Sequence, residues 1–281
     1  MTRADVARLT LLGAIWGSSF LFVRIVAPAL GPLLTADLRI LVAGLALVAW
    51  FRLTGFDPQW RLWLREYVIV GMLTSGMPFL LFAYAALSLS AGQMAVLNAT
   101  SPMWGAVMAA ALLGERLTAR RVAGLALGVA GVAFIARPGG EALPLLPVAA
   151  CLGAAWFYGF TGAYLKRWAR AVPAKGMAVG TQMSAGLLML PLAALWPPAA
   201  PPTPLVLACV LALGLVCGAL AYLLYFRLIH DVGPAGALTV TYLVPLFGML
   251  WGALFLGEAL TLAMLGGAAL VILGTVFVLR N

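Results

Sequence analysis

Polar and aromatic side chains interrupt several long hydrophobic runs of this sequence, mostly close to a proline. A proline frees a backbone carbonyl inside a helix, hydroxyl and amide side chains supply hydrogen bonds, and an aromatic face can hold an ammonium group at about 0.5–2 kcal/mol per contact. Together such groups could bind a small molecule with polar ends and an apolar body. The candidates are Trp16, Ser19, Thr74, Met77, Tyr84, Asn98, Ser101, Trp104, Trp156, Phe160, Tyr164, Tyr222, Tyr225, Thr239, Thr241 and Tyr242.

Most of these residues also have an ordinary structural explanation. Serine and threonine often bond the backbone of their own helix, and tryptophan or tyrosine near the end of a hydrophobic run anchors a helix at a membrane surface. Trp16, Asn98, Trp104 and Trp156 lie near the middle of such runs and are the strongest candidates. The tryptophans that we assign to anchoring are Trp50, Trp60, Trp63, Trp168 and Trp196.

The sequence offers little for catalysis. Its one histidine, His230, lies beside Asp231 at the end of a hydrophobic run, and the chain has no phosphate-binding glycine motif and no nucleophile paired with a base. The cysteines Cys151, Cys209 and Cys217 have neither zinc nor disulfide spacing. We therefore predict that the protein is not an enzyme and has no catalytic residue, metal site or cofactor. A membrane enzyme is the disfavoured alternative.

The composition indicates what must position the candidate residues. Of 281 residues, 64% are hydrophobic and only 9% are charged, against roughly 45–50% and about 25% in soluble domains. The apolar excess must face lipid, and continuous runs favour helices over the alternating strands of a membrane barrel. At about 20 residues per span, ten spans are predicted at 6–27, 33–51, 67–87, 91–113, 119–136, 144–165, 174–196, 205–225, 235–256 and 260–279.

Basic residues predict the orientation of these spans. With the N-terminus inside, 14 of the 17 Lys and Arg fall on the inner side and 3 on the outer side, namely Arg24, Arg39 and Arg137. The net charge of +9 therefore fits the positive-inside rule better than nucleic-acid binding. We expect a bacterial-type inner membrane protein with both termini in the cytoplasm. Arg24, Asp37 and Arg39 are expected near the outer interface, as interfacial cations or an ion pair, with an outer gate as the alternative.

The sequence repeats itself at an offset of 143 residues. Residues 113–118 read Leu-Gly-Glu-Arg-Leu-Thr, residues 256–261 read Leu-Gly-Glu-Ala-Leu-Thr, and Arg137 lies opposite Arg280. Repeats at 1–138 and 142–281 hold five spans each, and an odd number of spans inverts the second repeat. The second copy also lacks the basic residues that follow the first, as a position on the outer side requires. We predict an all-α integral membrane protein of ten transmembrane helices in two inverted five-helix repeats.

The paired motifs resemble a known family. A Trp-Gly pair early in the first helix (Trp16 and Gly17) and Leu-Gly-Glu-x-Leu-Thr between the last two helices of each half resemble the EamA repeat of the drug/metabolite transporter superfamily. The resemblance covers the whole chain, although Phe157 follows Trp156 where the repeat has glycine. It implies ten spans, a cavity between the halves, and outward transport of amino acids, other metabolites or drugs. Within the family, the chain looks most similar to YddG-type exporters of aromatic and other neutral amino acids.

The positions of the acidic residues bear on mechanism. No acidic residue lies near the middle of a predicted span, and proton-coupled carriers usually keep one there. We therefore expect facilitated diffusion or exchange without strong proton coupling. Glu115 and Glu258 lie at span ends three residues before Thr118 and Thr261, which can cap the next helix. A role for the two glutamates in locking the conformations is the alternative.

The expected partners are a small-molecule substrate and the lipid bilayer, with no nucleic acid. A cationic-drug exporter, a carrier of another metabolite or of a lipid-linked sugar, and a passive channel remain alternatives. Glycines four residues apart, as at Gly124 and Gly128 or Gly248 and Gly252, share a helix face and permit close helix contact. We expect these contacts within a monomer, with a dimer as the alternative.

Overall fold

The computed structural model describes residues 2–136 and 142–279, leaving aside the side chains of residues 234 and 235. In this part of the chain all regular structure is helical, so the all-α prediction is confirmed for it. The helices are α1 (Arg3–Leu30), α2 (Pro32–Leu53), α3 (Trp60–Gly71), α4 (Met77–Ala85), α5 (Ala91–Asn98), α6 (Ser101–Leu113), α7 (Ala119–Ile135), α8 (Leu145–Trp168), α9 (Ala174–Ala194), α10 (Pro204–Leu211), α11 (Ala221–Leu238), α12 (Val240–Leu256) and α13 (Leu262–Leu279). π-helical turns at Met72–Gly76 and Ala212–Leu220 join α3 to α4 and α10 to α11.

Polar residues at the helix starts explain where several helices begin. The Ser90 hydroxyl accepts from the Gln93 N–H while the Gln93 side chain accepts from the Ser90 N–H, which satisfies two backbone donors at the start of α5. Thr118 and Thr203 accept in the same way at the starts of α7 and α10. The predicted cap at Thr118 is thus confirmed. The cap at Thr261 is confirmed as well, because its hydroxyl accepts from the Met264 N–H at 3.2 Å.

Nine helices in the described ranges are long and apolar enough to cross a membrane. They are Arg3–Leu30, Pro32–Leu53, Trp60–Ala85, Ala91–Leu113, Leu145–Trp168, Ala174–Ala194, Pro204–Gly233, Gly236–Leu256 and Leu262–Leu279. Many large apolar side chains point outward, including Leu53 at 85% exposure and Leu262 at 88%. Water would not tolerate so much exposed apolar surface, whereas lipid does. The protein is therefore a multi-pass membrane protein.

Three pairs of helices from opposite halves pack antiparallel. In the pair α2–α9, a Cβ at Gly44 would meet Met183, and a Cβ at Gly186 would meet Leu41. The contact thus moves forward along α9 as it moves backward along α2. The pairs α5–α12 and α7–α13 show the same reversal, since residues later in one helix contact residues earlier in its partner. In α7–α13, a Cβ on Gly124 would lie 2.6 Å from the Gly274 carbonyl oxygen. Glycine therefore permits a backbone contact there that any side chain would prevent.

The eighth hydrophobic run continues further than the sequence suggested. The predicted span ended at residue 225, but the helix runs on to a kink at Gly233, where φ is 77° and the backbone leaves the helical region. This places Arg227 and Asp231 on the helix, and Arg8 of α1 donates to the Asp231 carboxylate at 2.8 Å. The turn predicted at residues 137–140 and the pairing of Arg137 with Arg280 lie outside the described residues.

Candidate functional site

A cavity of about 740 Å³ lies between helices of both halves. Its walls come from α1, α2, α4, α5, α6 and α7 in the first half of the chain and from α8, α9, α11, α12 and α13 in the second half. The volume falls within the roughly 300–1,000 Å³ typical of small-molecule sites. Most of the lining is apolar, so the few polar groups in it decide what the cavity can hold.

Eight of the sixteen candidate residues line this cavity. Its wall includes Trp16, Ser19, Thr74, Asn98, Ser101, Tyr222, Tyr225 and Thr241. The Trp16 and Tyr225 rings lie 5.3 Å apart, which brings an aromatic side chain from each half together. The Ser19 hydroxyl donates to the Trp16 carbonyl at 2.7 Å and the Ser101 hydroxyl to the Asn98 carbonyl at 2.6 Å. These hydroxyls still offer lone pairs to a ligand while their protons bond the helix backbone.

The other eight candidates are not part of the cavity wall in the described chain: Met77, Tyr84, Trp104, Trp156, Phe160, Tyr164, Thr239 and Tyr242. Trp156 stacks on Phe160 at 5.2 Å, and the stack continues to Tyr164 along one side of α8. Tyr158 lines the cavity instead, because two residues rotate an α-helix by about 200°. A Cβ on Gly159 would lie 2.7 Å from the Trp104 Cβ, so Trp104 fills a contact between α6 and α8.

Tyr158 and Gln182 line the cavity although they were not among the candidates, and so does Arg39, which was expected at the outer interface. Arg39 lines the cavity with 8% of its surface exposed, and its guanidinium carbon lies 3.6 Å from the centre of the Phe79 ring. Its Nε has no hydrogen-bond partner, and no carboxylate in the described residues lies within ion-pair distance of it. Polar groups close enough to interact with it electrostatically include Tyr158 and Tyr222. Among the described residues, this buried guanidinium therefore has no carboxylate as a counter-ion.

The interfacial positions predicted for Asp37 and Arg39 do not match the structure, because both side chains are buried. Arg39 lies about 10 Å along the axis from the start of α2, and its side chain turns inward. Asp37 is fully buried, and neither of its oxygens has a hydrogen-bond partner among the described residues. Arg24 donates to the Ala86 carbonyl at 2.6 Å, at the end of α4 where carbonyls lack helical partners. A charge well inside a hydrophobic helix requires a polar environment, and that signal was available in the sequence.

The two ends of the helical bundle carry the two Leu-Gly-Glu motifs. At one end the cavity wall includes Glu115, Arg121 and Lys166; Lys166 donates to Glu115 at 2.5 Å and Arg121 does so at 3.4 Å. The hydrogen bond from Lys166 is the main reason that the pKa of Glu115 lies below its usual value, against an opposing effect of burial. At the other end Glu258 accepts from the backbone N–H groups of Ala91 at 2.9 Å and Gly92 at 3.4 Å.

No three His, Cys, Asp or Glu side chains in the described ranges lie close enough to hold a metal ion. The three cysteines are buried and unpaired. The groups that the cavity offers to a ligand are Arg39, the aromatic rings and the neutral polar side chains, with the charged cluster of Glu115, Arg121 and Lys166 at one end.

Comparison with known proteins decides the family. The model of the EamA-like transporter family matches this chain twice, at residues 7–137 and 145–280. The chain belongs to the EamA-like transporter family. The two matches take in nearly the whole chain, including both Leu-Gly-Glu motifs and the helices that form the cavity.

Relatives in bacteria match this EamA chain over most of their length. It is 27% identical over 272 residues to the uncharacterized transporter YvbV of Bacillus subtilis (strain 168), covering 94% of this chain and 88% of that one. It is 30% identical over 265 residues to the protein PecM of Dickeya dadantii (strain 3937), covering 92% and 86%. A protein of known crystal structure has the same fold, with a TM-score of 0.69 at 19% identity over 99% of this chain and 96% of that chain. These findings establish a multi-pass transporter family.

Proposed function

We propose that this EamA protein exports or exchanges neutral and aromatic amino acids, or similar small metabolites, by alternating access. The observation that carries the proposal is the cavity between the two halves. It combines aromatic walls with the Arg39 guanidinium, which forms no ion pair with the described residues. An amino acid presents a carboxylate, which a guanidinium can bind through two hydrogen bonds. It also presents an ammonium group, which the aromatic faces and the oxygens of Asn98 and Ser101 can accept. A cationic drug would have to enter against the charge of Arg39.

Alternating access would rest on ten spans in two inverted repeats. The antiparallel pairs α2–α9, α5–α12 and α7–α13 support inversion, because each pair joins equivalent helices of the two halves. The tenth span would be α7, whose 17 residues fall at the short end of what can cross a bilayer. It packs along α13 through Gly124 and Gly131. Similar halves of opposite orientation can exchange conformations, opening the site first to one side and then to the other.

The topology predicts where single cysteines will be labelled. Leu117 and Leu260 occupy equivalent positions of the two motifs, at 39% and 45% exposure. In intact cells, an impermeant maleimide is expected to label Leu260→Cys from outside, whereas Leu117→Cys should react only after the cytoplasmic face is exposed. Labelling of both from the same side of the inner membrane would contradict the inverted arrangement.

The proposal also includes a monomer without strong proton coupling. The glycine faces that could join two copies are already occupied within the chain, for example Gly17 against Phe247 and Gly248 against Ala95. Among the described residues that line the cavity, the one acid is Glu115, which is paired with Lys166. Asp37 is buried but does not belong to the lining. A substrate exchange that runs without a pH gradient is therefore expected.

Counterflow in liposomes tests the proposed function. Purified protein with excess unlabelled substrate inside is expected to accumulate labelled phenylalanine, tryptophan and leucine transiently and in a saturable manner, with no pH difference applied. Glutamate, lysine and a quaternary ammonium compound complete the panel. Exchange of the quaternary ammonium compound alone would contradict the substrate class, and uptake without saturation would indicate a channel. Strict dependence on a pH gradient would contradict uncoupled exchange and would make the buried Asp37 the candidate proton-binding residue.

A further inference from the structure

The two Leu-Gly-Glu motifs have the same local structure. Gly114 and Gly257 adopt left-handed conformations, with φ of 70° and 65°, which glycine accepts at no steric cost. The backbone N–H of each glutamate then donates to the carbonyl six residues earlier, at 3.3 Å for Glu115 and 3.2 Å for Glu258. In each copy the threonine that follows caps the next helix. The backbone therefore presents both carboxylates in the same way.

The partners of the two carboxylates differ, although their backbones do not. Glu258 binds the N–H groups of Ala91 and Gly92 at the start of α5, where free donors and the helix dipole favour an anion. The surrounding residues are tightly packed, with Ala91 fully buried and Met264 against Gly92. Glu115 instead binds Lys166 and Arg121 and faces the cavity. Glu258 thus binds the backbone at a helix start, whereas Glu115 binds the side chains of Arg121 on α7 and Lys166 on α8.

The helix start that would match α5 lies across the cavity from Glu115. Residues 235–236 repeat the Ala-Gly of residues 91–92. They follow the kink at Gly233 with Pro234 between, whereas Ala91 follows Ser90 directly. Leu238 and Thr241, shortly after this start, line the same cavity as Glu115. The cavity therefore separates Glu115 from the helix start that corresponds to the one held by Glu258.

We propose that Glu115 and Glu258 act as alternating latches, each holding its end of the cavity closed in one of the two transport conformations. In the conformation described here, Glu258 binds the start of α5 and its end is closed. In the opposite conformation, Glu115 exchanges Lys166 and Arg121 for the backbone N–H groups of Ala235 and Gly236, since Pro234 has none to donate. At the same time Glu258 releases Ala91 and Gly92. The latches would be positioning residues that do not touch the substrate. This inference rests on the proposed alternating access.

Two reporter cysteines can measure the two ends separately. Leu238→Cys lies at the Glu115 end, where the side chain is 39% exposed. Met94→Cys occupies the corresponding place of α5, where the side chain is fully buried. The three native cysteines are buried and give a low background. Labelling rates with a maleimide, measured in nanodiscs where both faces are accessible, report how often each end is open.

Charge-neutral variants of the two glutamates should shift the two reporters in opposite directions. Glu258→Gln is expected to raise the labelling rate of Met94→Cys and lower that of Leu238→Cys, each roughly tenfold, because it weakens a charge-assisted contact present in one conformation only. Glu115→Gln is expected to lower the Met94→Cys rate and raise the Leu238→Cys rate. Glu66→Gln, in α3, is the control and should change neither rate.

If the glutamates had only a structural role, partial unfolding would raise the labelling rates of both reporters in both variants. That result would overturn the latch. Unchanged rates in both variants would also overturn it. If Glu258→Gln does not fold, Glu258→Asp withdraws the carboxylate by about one methylene and allows the same comparison. Loss of counterflow in the wild type would count against the proposed function. Normal wild-type counterflow with rates that fail to shift in opposite directions would count against the latch alone.

Discussion

Arg39→Gln is expected to raise the half-saturation concentration for neutral amino acids by about ten- to 150-fold. The guanidinium is buried in the cavity and has no ion-pair partner in the part of the chain that the structure describes. A substrate carboxylate would therefore supply its negative partner. A hydrogen bond to a charged group contributes about 1.5–3 kcal/mol, and each 1.4 kcal/mol corresponds to about a tenfold change in affinity. Counterflow measured over a range of phenylalanine concentrations would give this change.

The charge-specific part of the prediction uses a matched substrate. Phenylalaninamide lacks the carboxylate, so Arg39→Gln should affect its transport far less than that of phenylalanine. Arg52→Gln is the control variant, because Arg52 lies at the exposed end of the same helix, α2. Equal losses for the acid and the amide would contradict a role of Arg39 in binding the carboxylate.

A thermal unfolding measurement separates binding from structure for the same variant. An unpaired buried charge is costly to keep out of water. Without substrate, Arg39→Gln should therefore unfold at the same temperature as the wild type or at a higher one. With saturating phenylalanine, the wild type should gain more stability than the variant, because ligand bound to the folded state stabilises it. Lower stability without substrate would indicate that Arg39 supports the fold.

Gly267→Leu is expected to abolish the yield of folded protein, whereas Gly266→Leu, at the neighbouring position of α13, should be tolerated. A Cβ at Gly267 would lie 2.4 Å from Ile135 and 2.8 Å from the Gly131 carbonyl oxygen. Overpacking usually costs about 1–3 kcal/mol, and a leucine against backbone should exceed that range. At Gly266 the nearest neighbour is the Phe134 side chain of α7 at 4.0 Å, an ordinary van der Waals distance, so this position has room for an added side chain.

Yield of the monodisperse peak in mild detergent, followed by thermal unfolding, would measure the difference between these variants. The pair is matched in residue type, helix and depth, so hydrophobicity and helix propensity cancel. Equal yields for the two variants would contradict the close contact between α7 and α13. They would also remove the support that this contact gives to α7 as a membrane span.

Much of the fold could be predicted because it depends on local properties of the chain. Long hydrophobic runs predicted the membrane helices, Thr118 and Thr261 marked helix starts through their hydroxyls, and the repeated motif identified the family. The helix that continues to Gly233 was predicted too short, since the charged Arg227 and Asp231 lowered the local hydropathy. Asp231 accepts from Arg227 on its own helix and from Arg8 of α1, and the contact with Arg8 is too distant in sequence to affect a local hydropathy average.

The site depended on which way each helix faces, and that could not be read from the sequence. In a soluble protein, the polar face of a helix points to water and so reveals its rotation. In this protein, lipid and the protein interior are both apolar, so Trp156 and Tyr158 fit either side of α8. Only the packing of α8 against α4 and α6 turned Tyr158 into the cavity.

The sequence by itself determined the membrane environment, the helices and the repeated motifs, because each follows from residue type and spacing along the chain. Tertiary structure alone decided that Arg39 faces the cavity and that Glu258 holds the start of α5 while Glu115 pairs with Lys166. The direction of Arg39 and the partners of the two glutamates depend on how helices distant in sequence are rotated and brought together. The two Leu-Gly-Glu motifs have the same local structure, so the motif alone does not decide whether its glutamate binds a helix start or a lysine.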